Sequence, residues 1–435
     1  MKKAMVYGAG VSGLAACELL RKNGYEVILV DDKKGLSSKE AIDQLNGIEL
    51  FIKSPGIPYN ELVLEVKNKE IELIDEIELA YRYSVGKFKI IAVTGTNGKT
   101  TTTSKIAGLL EADGYKVEAG GNIGKAFAQI VLEEKQLDFV VLELSSYQLE
   151  NLKEFKADLS LVINLSPDHM DRYEKETDYY LAKFNVKNNA DSNSYFILNI
   201  DSKESLELYK KGNEKLIKAS SLGDKTADFY VENGILKSKD EEILEADKLS
   251  LKGKHNLENV MFMVATAKTF GMSNEIIREY LYNTESVEHR MENFLEVDGV
   301  TFVNDSKGTN IDSTVKAMEA YKTKPILICG GKNKYVDLVP LAKAIKENAK
   351  LLYLIGDTAD MIEKLVKEEG YPVEKIFNLK NLETVINEIK LEKGDIVLFS
   401  PAHSSFDQFA NYVERGRIFK ELVNKKFVTA QALKN

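Results

Sequence analysis

Tryptophan is absent from this 435-residue chain, and cysteine (2), histidine (4) and proline (7) are scarce. The two cysteines, Cys17 and Cys329, lie far apart in apolar segments without metal-ligand spacing, and read as reduced, buried thiols. That excludes a disulfide-stapled scaffold. No apolar run approaches the roughly 18 residues that a membrane helix needs, so no membrane insertion is expected. Behind Met1-Lys2-Lys3 there is neither the apolar core nor the small-residue cleavage site of a secretory signal, and a cytoplasmic protein is expected. An excess of positive charge is missing too. Lys and Arg number 59 against 68 Asp and Glu, a net charge of −9, so neither nucleic acid nor anionic lipid is an expected partner. Any phosphate-bearing ligand must then be held by a local site, such as backbone N–H groups at a helix start with one or two basic side chains.

What is present is a globular composition, 44% hydrophobic and 29% charged, in a chain long enough for two to four domains. Strand, glycine- or serine-bearing turn and helix recur along it. Strands are predicted at Lys3–Tyr7, Val27–Val30, Leu50–Ile52, Phe88–Val93, Phe139–Leu142, Leu159–Asn164 and Tyr195–Asn199. A polar, turn-rich stretch from Asp228 to Leu251 reads as a small antiparallel patch, and a long helix is predicted over His255–Phe270. Strands resume at Val300–Asn304, Ile326–Gly330, Leu351–Ile355 and Ile396–Ser400. Such alternation predicts an α/β protein of mostly parallel sheets covered by helices on both faces. Three units fit the length, over residues 1–86, 87–286 and 287–435.

Three motifs carry chemistry. Gly8-Ala9-Gly10-Val11-Ser12-Gly13 matches G-x-G-x-x-G between a strand and a helix, and Asp31-Asp32 ends the next strand where a ribose-binding carboxylate would sit. Taken alone, this reads as NAD binding. The same backbone cradle holds any pyrophosphate, a UDP-sugar included, and about 85 residues are short for a full dinucleotide fold of two halves. A tight turn without ligand is the third reading. Ser54-Pro55-Gly56 ends a neighbouring strand and could wall the same crevice.

Val93-Thr94-Gly95-Thr96-Asn97-Gly98-Lys99-Thr100 is a variant phosphate loop, with its first glycine at Gly95 and not at Val93. Its successive N–H groups can wrap phosphates, Lys99 can neutralise them, and the Thr100 hydroxyl can ligate magnesium. Two later strands end in Glu143 and in the segment Asn164-Leu165-Ser166-Pro167-Asp168-His169. In a parallel sheet the ligand crevice lies outside those carboxyl ends, so Glu143 and His169 could both reach that ion. Magnesium prefers oxygen, which leaves His169 open between ligand and structural histidine.

Together these residues resemble the Mur ligases, the ATP-dependent amide-forming enzymes of peptidoglycan assembly. The loop Gly95–Thr101 is shared with folylpolyglutamate synthases; the further blocks Gly120–Gly124, Glu143–Leu149, His169–Tyr173, Gly253–Asn256, Asn304–Asn310 and Ser400–Ala402 extend the resemblance along the chain. The resemblance implies a Rossmann-like N-terminal domain, a central ATPase-like domain and a Rossmann-like C-terminal one. It implies addition of D-glutamate to UDP-N-acetylmuramoyl-L-alanine, with ATP and two magnesium ions, by a monomer. It turns the first glycine loop into a UDP site with Gly10, Val11, Ser12, Asp31, Asp32, Ser54 and Gly56 as candidates, and gives Asn122 and His169 to the muramoyl substrate and metal. Lys183 falls where the family carries a carbamylated lysine that holds the second ion. Around ATP the resemblance places Gly95, Thr96, Asn97, Gly98, Lys99, Thr100 and Thr101. It adds Asn256 and Asn259 near adenine and ribose, and Arg290, Asp305 and Lys307 from the last domain. For D-glutamate the matching positions are Thr309, Lys334, Ser405 and Tyr412; Gly330-Gly331-Lys332-Asn333-Lys334 lacks the acidic residue relatives carry in this turn. Two other classes stay open on the residues alone: an NAD-dependent oxidoreductase using the first loop, and a phosphate-loop regulatory protein without ligase chemistry.

Overall fold

The computed structural model describes residues 2–428 except 171, 240, 252, 286 and 287. Asp171 of the histidine block and the expected boundary at 286–287 therefore lie outside the described residues. The chain divides into two compact units. One holds residues 1–165, 175–249 and 257–283; the other holds 166–174, 250–256 and 284–435. No helix among the described residues is long and apolar enough to cross a membrane.

The first unit contains two sheets. Strands β1 (Lys2–Tyr7), β2 (Tyr25–Val30), β3 (Leu50–Lys53) and β4 (Glu72–Ile74) pair in parallel in the order β2-β1-β3-β4. Met5, Tyr7, Val30 and Phe51 pack with Leu62, Val63 and Val66 of the helix Glu61–Asn68. The order reverses beside β1, so a crevice opens outside the carboxyl ends of β1 and β3. There the chain enters the helix Val11–Lys22 through Gly8 and Gly10. A Cβ at Gly13 would overlap the Gly8 carbonyl oxygen, so only glycine lets this helix approach the strand end so closely.

The second sheet has nine strands: β5 (Lys89–Thr94), β6 (Val117–Gly121), β7 (Phe139–Glu143), β8 (Leu159–Val162), β9 (Tyr195–Asn199), β10 (Lys215–Ser220), β11 (Phe229–Glu232), β12 (Ile235–Ser238) and β13 (Glu242–Glu245). Their order is β13-β12-β11-β10-β9-β8-β5-β7-β6. The expected antiparallel patch is β11–β13, and it is no separate layer: β10 pairs in parallel with β11 and carries the sheet into it. Buried on both faces, β8, β5 and β7 are adjacent interior strands, with β7 next to the edge strand β6.

Two buried carboxylates join these sheets. Glu78, in the helix Glu76–Arg82, accepts the backbone N–H groups of Lys153, Glu154 and Phe155 at 3.0–3.1 Å and Arg82 Nε at 3.0 Å. Glu76 accepts the Ala128 N–H at 2.5 Å, at the start of the helix Phe127–Leu132, which has no side-chain cap of its own. Burial pushes the Glu76 carboxyl up to about 7, while the N–H groups of Ala128 and Phe127 oppose that rise.

The second unit is built on β14 (Glu292–Val297), β15 (Val300–Asn304), β16 (Ile326–Cys329), β17 (Leu351–Ile355), β18 (Ile376–Lys380) and β19 (Ile396–Phe399), in the order β14-β15-β19-β16-β17-β18. Among the described residues, only the edge pair β14–β15 of its strand pairs is antiparallel. Apolar clusters lie on both faces of this sheet, which accounts for the continuous hydrophobic runs of β16, β17 and β19.

Replacing Gly13 by Ala forces the helix Val11–Lys22 off the first strand. The expected cost is at least about 2 kcal/mol, read as a lowered denaturation midpoint, and an unchanged midpoint would contradict this packing.

Candidate functional site

The loop after β5 is held from below by one asparagine. The Thr96 N–H donates to the Asn164 carbonyl at 2.9 Å and the Asn97 N–H to Asn164 Oδ1 at 2.8 Å. These two N–H groups therefore point at the protein, a correction to the expectation that successive N–H groups of the loop wrap the phosphates. The anion cradle is the start of the helix Lys99–Ala112. Gly98 is its N-cap in a left-handed conformation (φ 80°), and no side chain caps it. A helix start of this kind favours phosphate. Gly95 also has positive φ (148°), and the Lys99 ammonium folds over the loop onto Gly95 O and Thr96 O at 2.9 and 2.8 Å. Thr100 and Thr101 are buried in the first turn, and the Asn259 amide lies where a Cβ on Gly98 would be.

Glu143 ends β7, 2% exposed. Thr100 Oγ1 donates to its Oε2 at 2.6 Å, and Asn122 Nδ2 donates to its Oε1 at 2.9 Å. The Glu143 carbonyl also accepts the Asn122 N–H. A hydroxyl and a carboxylate so placed beneath a phosphate cradle form the hard-oxygen donor set that magnesium takes. Lys183, 1% exposed, donates from Nζ to Gly95 O at 2.9 Å, and its ammonium lies 4.4 Å from the Tyr179 ring centroid. Asn122, Glu143, Thr100 and Lys183 thus meet around one loop. His169 belongs to the second unit, with left-handed backbone (φ 59°) and its Nε2 3.7 Å from Asp168.

At the first glycine loop the acidic pair is occupied. Asp31 accepts the N–H groups of Ala9, Lys33 and Lys34, and these bonds, that from Ala9 foremost, hold its carboxyl below the usual range. Asp32 accepts the Ser38 N–H at 2.7 Å and the Tyr7 hydroxyl at 2.8 Å. Both carboxylates brace the crevice, where the sequence suggested a ribose ligand. Ser54 Oγ donates to Gly8 O at 3.3 Å. Gly10 and Gly56 face open space where a Cβ would go, Ser12 is half-buried, and Val11 is 71% exposed at the crevice mouth.

In the second unit Asp305 follows β15. Its Oδ2 accepts the Ser400 hydroxyl at 2.7 Å and its Oδ1 the Met291 N–H at 3.2 Å; burial pushes it up to about 6 against the Ser400 bond and the Arg290 charge. Lys307 lies 5.1 Å from the Tyr412 ring centroid. Lys334 pairs with Asp168 at 3.0 Å, and Asn310, which caps the helix Ile311–Glu319, donates to the same carboxylate at 3.3 Å. Thr309 directly precedes that cap. Ser405 is buried in the turn after β19, and Asn256 stands in the first turn of the helix Lys254–Thr269 with its N–H on the Gly253 carbonyl. Two residues here carried no sequence assignment. Asp168 gathers Lys334, Asn310 and the His169 N–H. Arg415, fully buried, donates to Ser306 Oγ, Ser306 O and His403 O, and burial lowers it to about 9. The signal for Arg415 was a cation four and eight residues before Phe419 and Val423, on the apolar side of its helix.

Comparison with known proteins decides the family. Residues 93–267 match the Mur ligase middle domain, and residues 289–403 match the Mur ligase glutamate ligase domain. The chain is 49% identical over 434 residues to the UDP-N-acetylmuramoylalanine--D-glutamate ligase of Fusobacterium nucleatum, covering 98% of this chain and 100% of that one. This chain belongs to the Mur ligase family. A second relative, the UDP-N-acetylmuramoylalanine--D-glutamate ligase of Caldanaerobacter subterraneus, is 37% identical over 442 residues, 97% of this chain and 98% of its own. Among solved structures, the UDP-N-acetylmuramate-alanine ligase of Thermotoga maritima superposes with a TM-score of 0.61 at 17% identity, over 97% of this chain and 98% of that one. The pseudomurein peptide ligase type C of Methanothermus fervidus gives 0.61 at 19%, over 98% and 100%. At such identities these structures speak for the fold, and the three α/β sheets of this Mur ligase are the ones expected from its sequence.

Two outcomes follow for this Mur ligase. Removing one pre-organised charge partner costs on the order of 3 kcal/mol in the barrier, so Lys99→Ala and Glu143→Ala should each lower turnover at least about a hundredfold with the fold intact by circular dichroism. Near-normal turnover in either contradicts the site. For Asp168, burial raises the carboxyl, but the charges of Lys334 and His169 and the bonds from Lys334 and Asn310 outweigh it and bring it from 3.8 to about 2. A carboxyl depressed in the folded state adds stability above its unfolded value, and that stability is lost as pH falls through the folded one. The stability lost between about pH 4 and pH 2 should therefore be smaller in Lys334→Met than in the unsubstituted protein, and equal losses would contradict the pairing.

Proposed function

We propose that this chain is the ATP-dependent ligase that joins D-glutamate to UDP-N-acetylmuramoyl-L-alanine, in cytoplasmic synthesis of the peptidoglycan precursor, acting as a monomer. The observation that carries the reading is the full-length identity of 49% to a ligase of that name. The site chemistry supports it independently: a helix-start phosphate cradle with a buried hydroxyl–carboxylate pair beneath it.

Residues 1–86 bind the UDP substrate, through Gly10, Val11, Ser12, Ser54 and Gly56, with Asp31 and Asp32 shaping the crevice. Residues 87–286 bind ATP, and residues 287–435 bind the amino acid. The free carboxylate of the substrate's L-alanine attacks the γ-phosphorus, ADP leaves, and an acyl phosphate forms. The D-glutamate amine then attacks the carbonyl carbon; the tetrahedral intermediate expels phosphate, the amine gives up a proton, and the amide remains. The first step brings an anion to an anion. Lys99 is the protein's own cation at that point, and the loop's Gly98 and the helix start fix the phosphate chain in line. Magnesium, as two ions, would neutralise phosphate charge at Thr100, Glu143, His169 and a carbamylated Lys183. The burial of Lys183 against Gly95 O supports a role at the loop, and carbamylation would turn its cation into an oxygen ligand. Asn122 orients the muramoyl arm from its bond to Glu143. Asn256 and Asn259 serve adenine and ribose, and Arg290, Asp305 and Lys307 serve the phosphates. Thr309, Lys334, Ser405 and Tyr412 receive D-glutamate, and Lys334 offers the cation its carboxylates require. An NAD-dependent reading loses support, because the ribose carboxylate it needs is spent on backbone N–H groups.

The test is phosphate release with UDP-N-acetylmuramoyl-L-alanine, ATP and a panel of amino acids. D-glutamate alone should drive turnover. Equal turnover with L-glutamate, or turnover indifferent to any amino acid, overturns the reading.

A further inference from the structure

The loop's anchor, Asn164, is itself held by a network that ends on Glu258, in the helix Lys254–Thr269. Asn164 Nδ2 donates to Glu258 Oε2 at 2.7 Å, and Asn199 Nδ2 donates to Glu258 Oε1 at 3.0 Å. Neither asparagine is free to turn its amide around. Asn164 Oδ1 accepts the Asn97 N–H at 2.8 Å, and Asn199 Oδ1 accepts the Asp201 N–H at 2.9 Å. A backbone N–H can only donate, so each amide must present oxygen to the backbone and NH2 to position 258. Asn199 is fixed a second time, since its Nδ2 also donates to the Ile163 carbonyl at 2.7 Å. Two donors therefore converge from β8 and β9 on one side chain. Only a group that accepts at both ends satisfies them, and among side chains of this length that is a carboxylate.

We propose that Glu258 is a positioning residue for nucleotide binding: by accepting from both amides it sets the orientation of the Asn164 side chain, and through it the Asn97 N–H group and the shape of the phosphate loop. The next residue in the same helix, Asn259, has its amide against Gly98. One turn of helix thus holds the loop at Asn97 and at Gly98. The proposal rests on the loop binding a nucleotide, which is part of the function proposed above, and not on the identity of the amino acid added.

The variant that separates polarity from size is Glu258→Gln. It keeps the length of the side chain and removes one acceptor, setting an NH2 against an amide donor that cannot flip. A role in mere packing predicts that Gln is harmless and that the shorter Asp is the worse replacement; a role as double acceptor predicts the reverse. Binding of magnesium–ADP, measured by calorimetry on the full-length chain, reads this without any ligase turnover. Glu258→Gln should weaken ADP at least about tenfold, a loss of 1.4 kcal/mol, and Glu258→Asp should weaken it less. Binding of UDP-N-acetylmuramoyl-L-alanine should change less than twofold in either variant. Unchanged ADP affinity in Glu258→Gln overturns the proposal, as does an Asp variant that binds ADP no better than the Gln one, or an equal loss for both ligands. Failure of the ligase reading would show elsewhere, as phosphate release that does not depend on D-glutamate while these affinities still differ.

Discussion

A carboxylate buried at the end of a central strand must be satisfied or neutralised, and the way Glu143 is satisfied organises the nucleotide half of this protein. One oxygen takes the Thr100 hydroxyl and the other takes the Asn122 amide. The first ties strand β7 to the phosphate loop, the second ties it to the turn after β6, and strands β5 and β7 flank the switch in sheet order where ligands bind. A burial that would be costly alone becomes a fixed anion within reach of a phosphate cradle. The same logic recurs at Asn164 and Glu258, and at Glu78, whose carboxylate is spent on three consecutive backbone N–H groups. In each case a buried polar group has partners that leave it one orientation, and that orientation places a segment of chain.

The second unit uses the same device for a different purpose. Among the described residues, Arg415 has no carboxylate as a hydrogen-bond partner. Its guanidinium instead gathers the carbonyls of Ser306 and His403 with the Ser306 hydroxyl. That pulls the turn after β15 and the turn after β19 together, and these turns carry Asp305, Lys307 and Ser405. Asp168 in turn holds Lys334 with its charge compensated.

Much of this was legible from the residues. The central strands β5, β7, β8, β16, β17 and β19 are short apolar runs ending in glycine, serine, asparagine or glutamate, and such runs announce buried parallel strands. The edges were not. β6 reads as Val-Glu-Ala-Gly-Gly and β14 as alternating polar and apolar residues, so neither has the hydrophobic run that marks a buried strand. Thr100 and Glu143 could be singled out because a hydroxyl and a carboxylate suit magnesium, and Asn122 through the family resemblance. Asn164, Asn199 and Glu258 could not, because they serve other protein groups and nothing in their spacing reports a contact across some 94 residues of chain. The Asp31-Asp32 pair shows the converse: a carboxylate in the place of a ribose ligand was taken by nearby N–H groups.

The central claim is that Glu143 and Thr100 together make the cation site of a nucleotide cradle. Manganese, as a paramagnetic substitute for magnesium, reports it directly: the spectrum of free Mn2+ is lost when the ion binds with ADP to the protein. The unsubstituted chain should bind the manganese–ADP pair and Glu143→Gln, which keeps the bond from Thr100 but removes the charge, should bind it at least about tenfold more weakly. Equal binding of manganese–ADP by the two proteins would contradict the account.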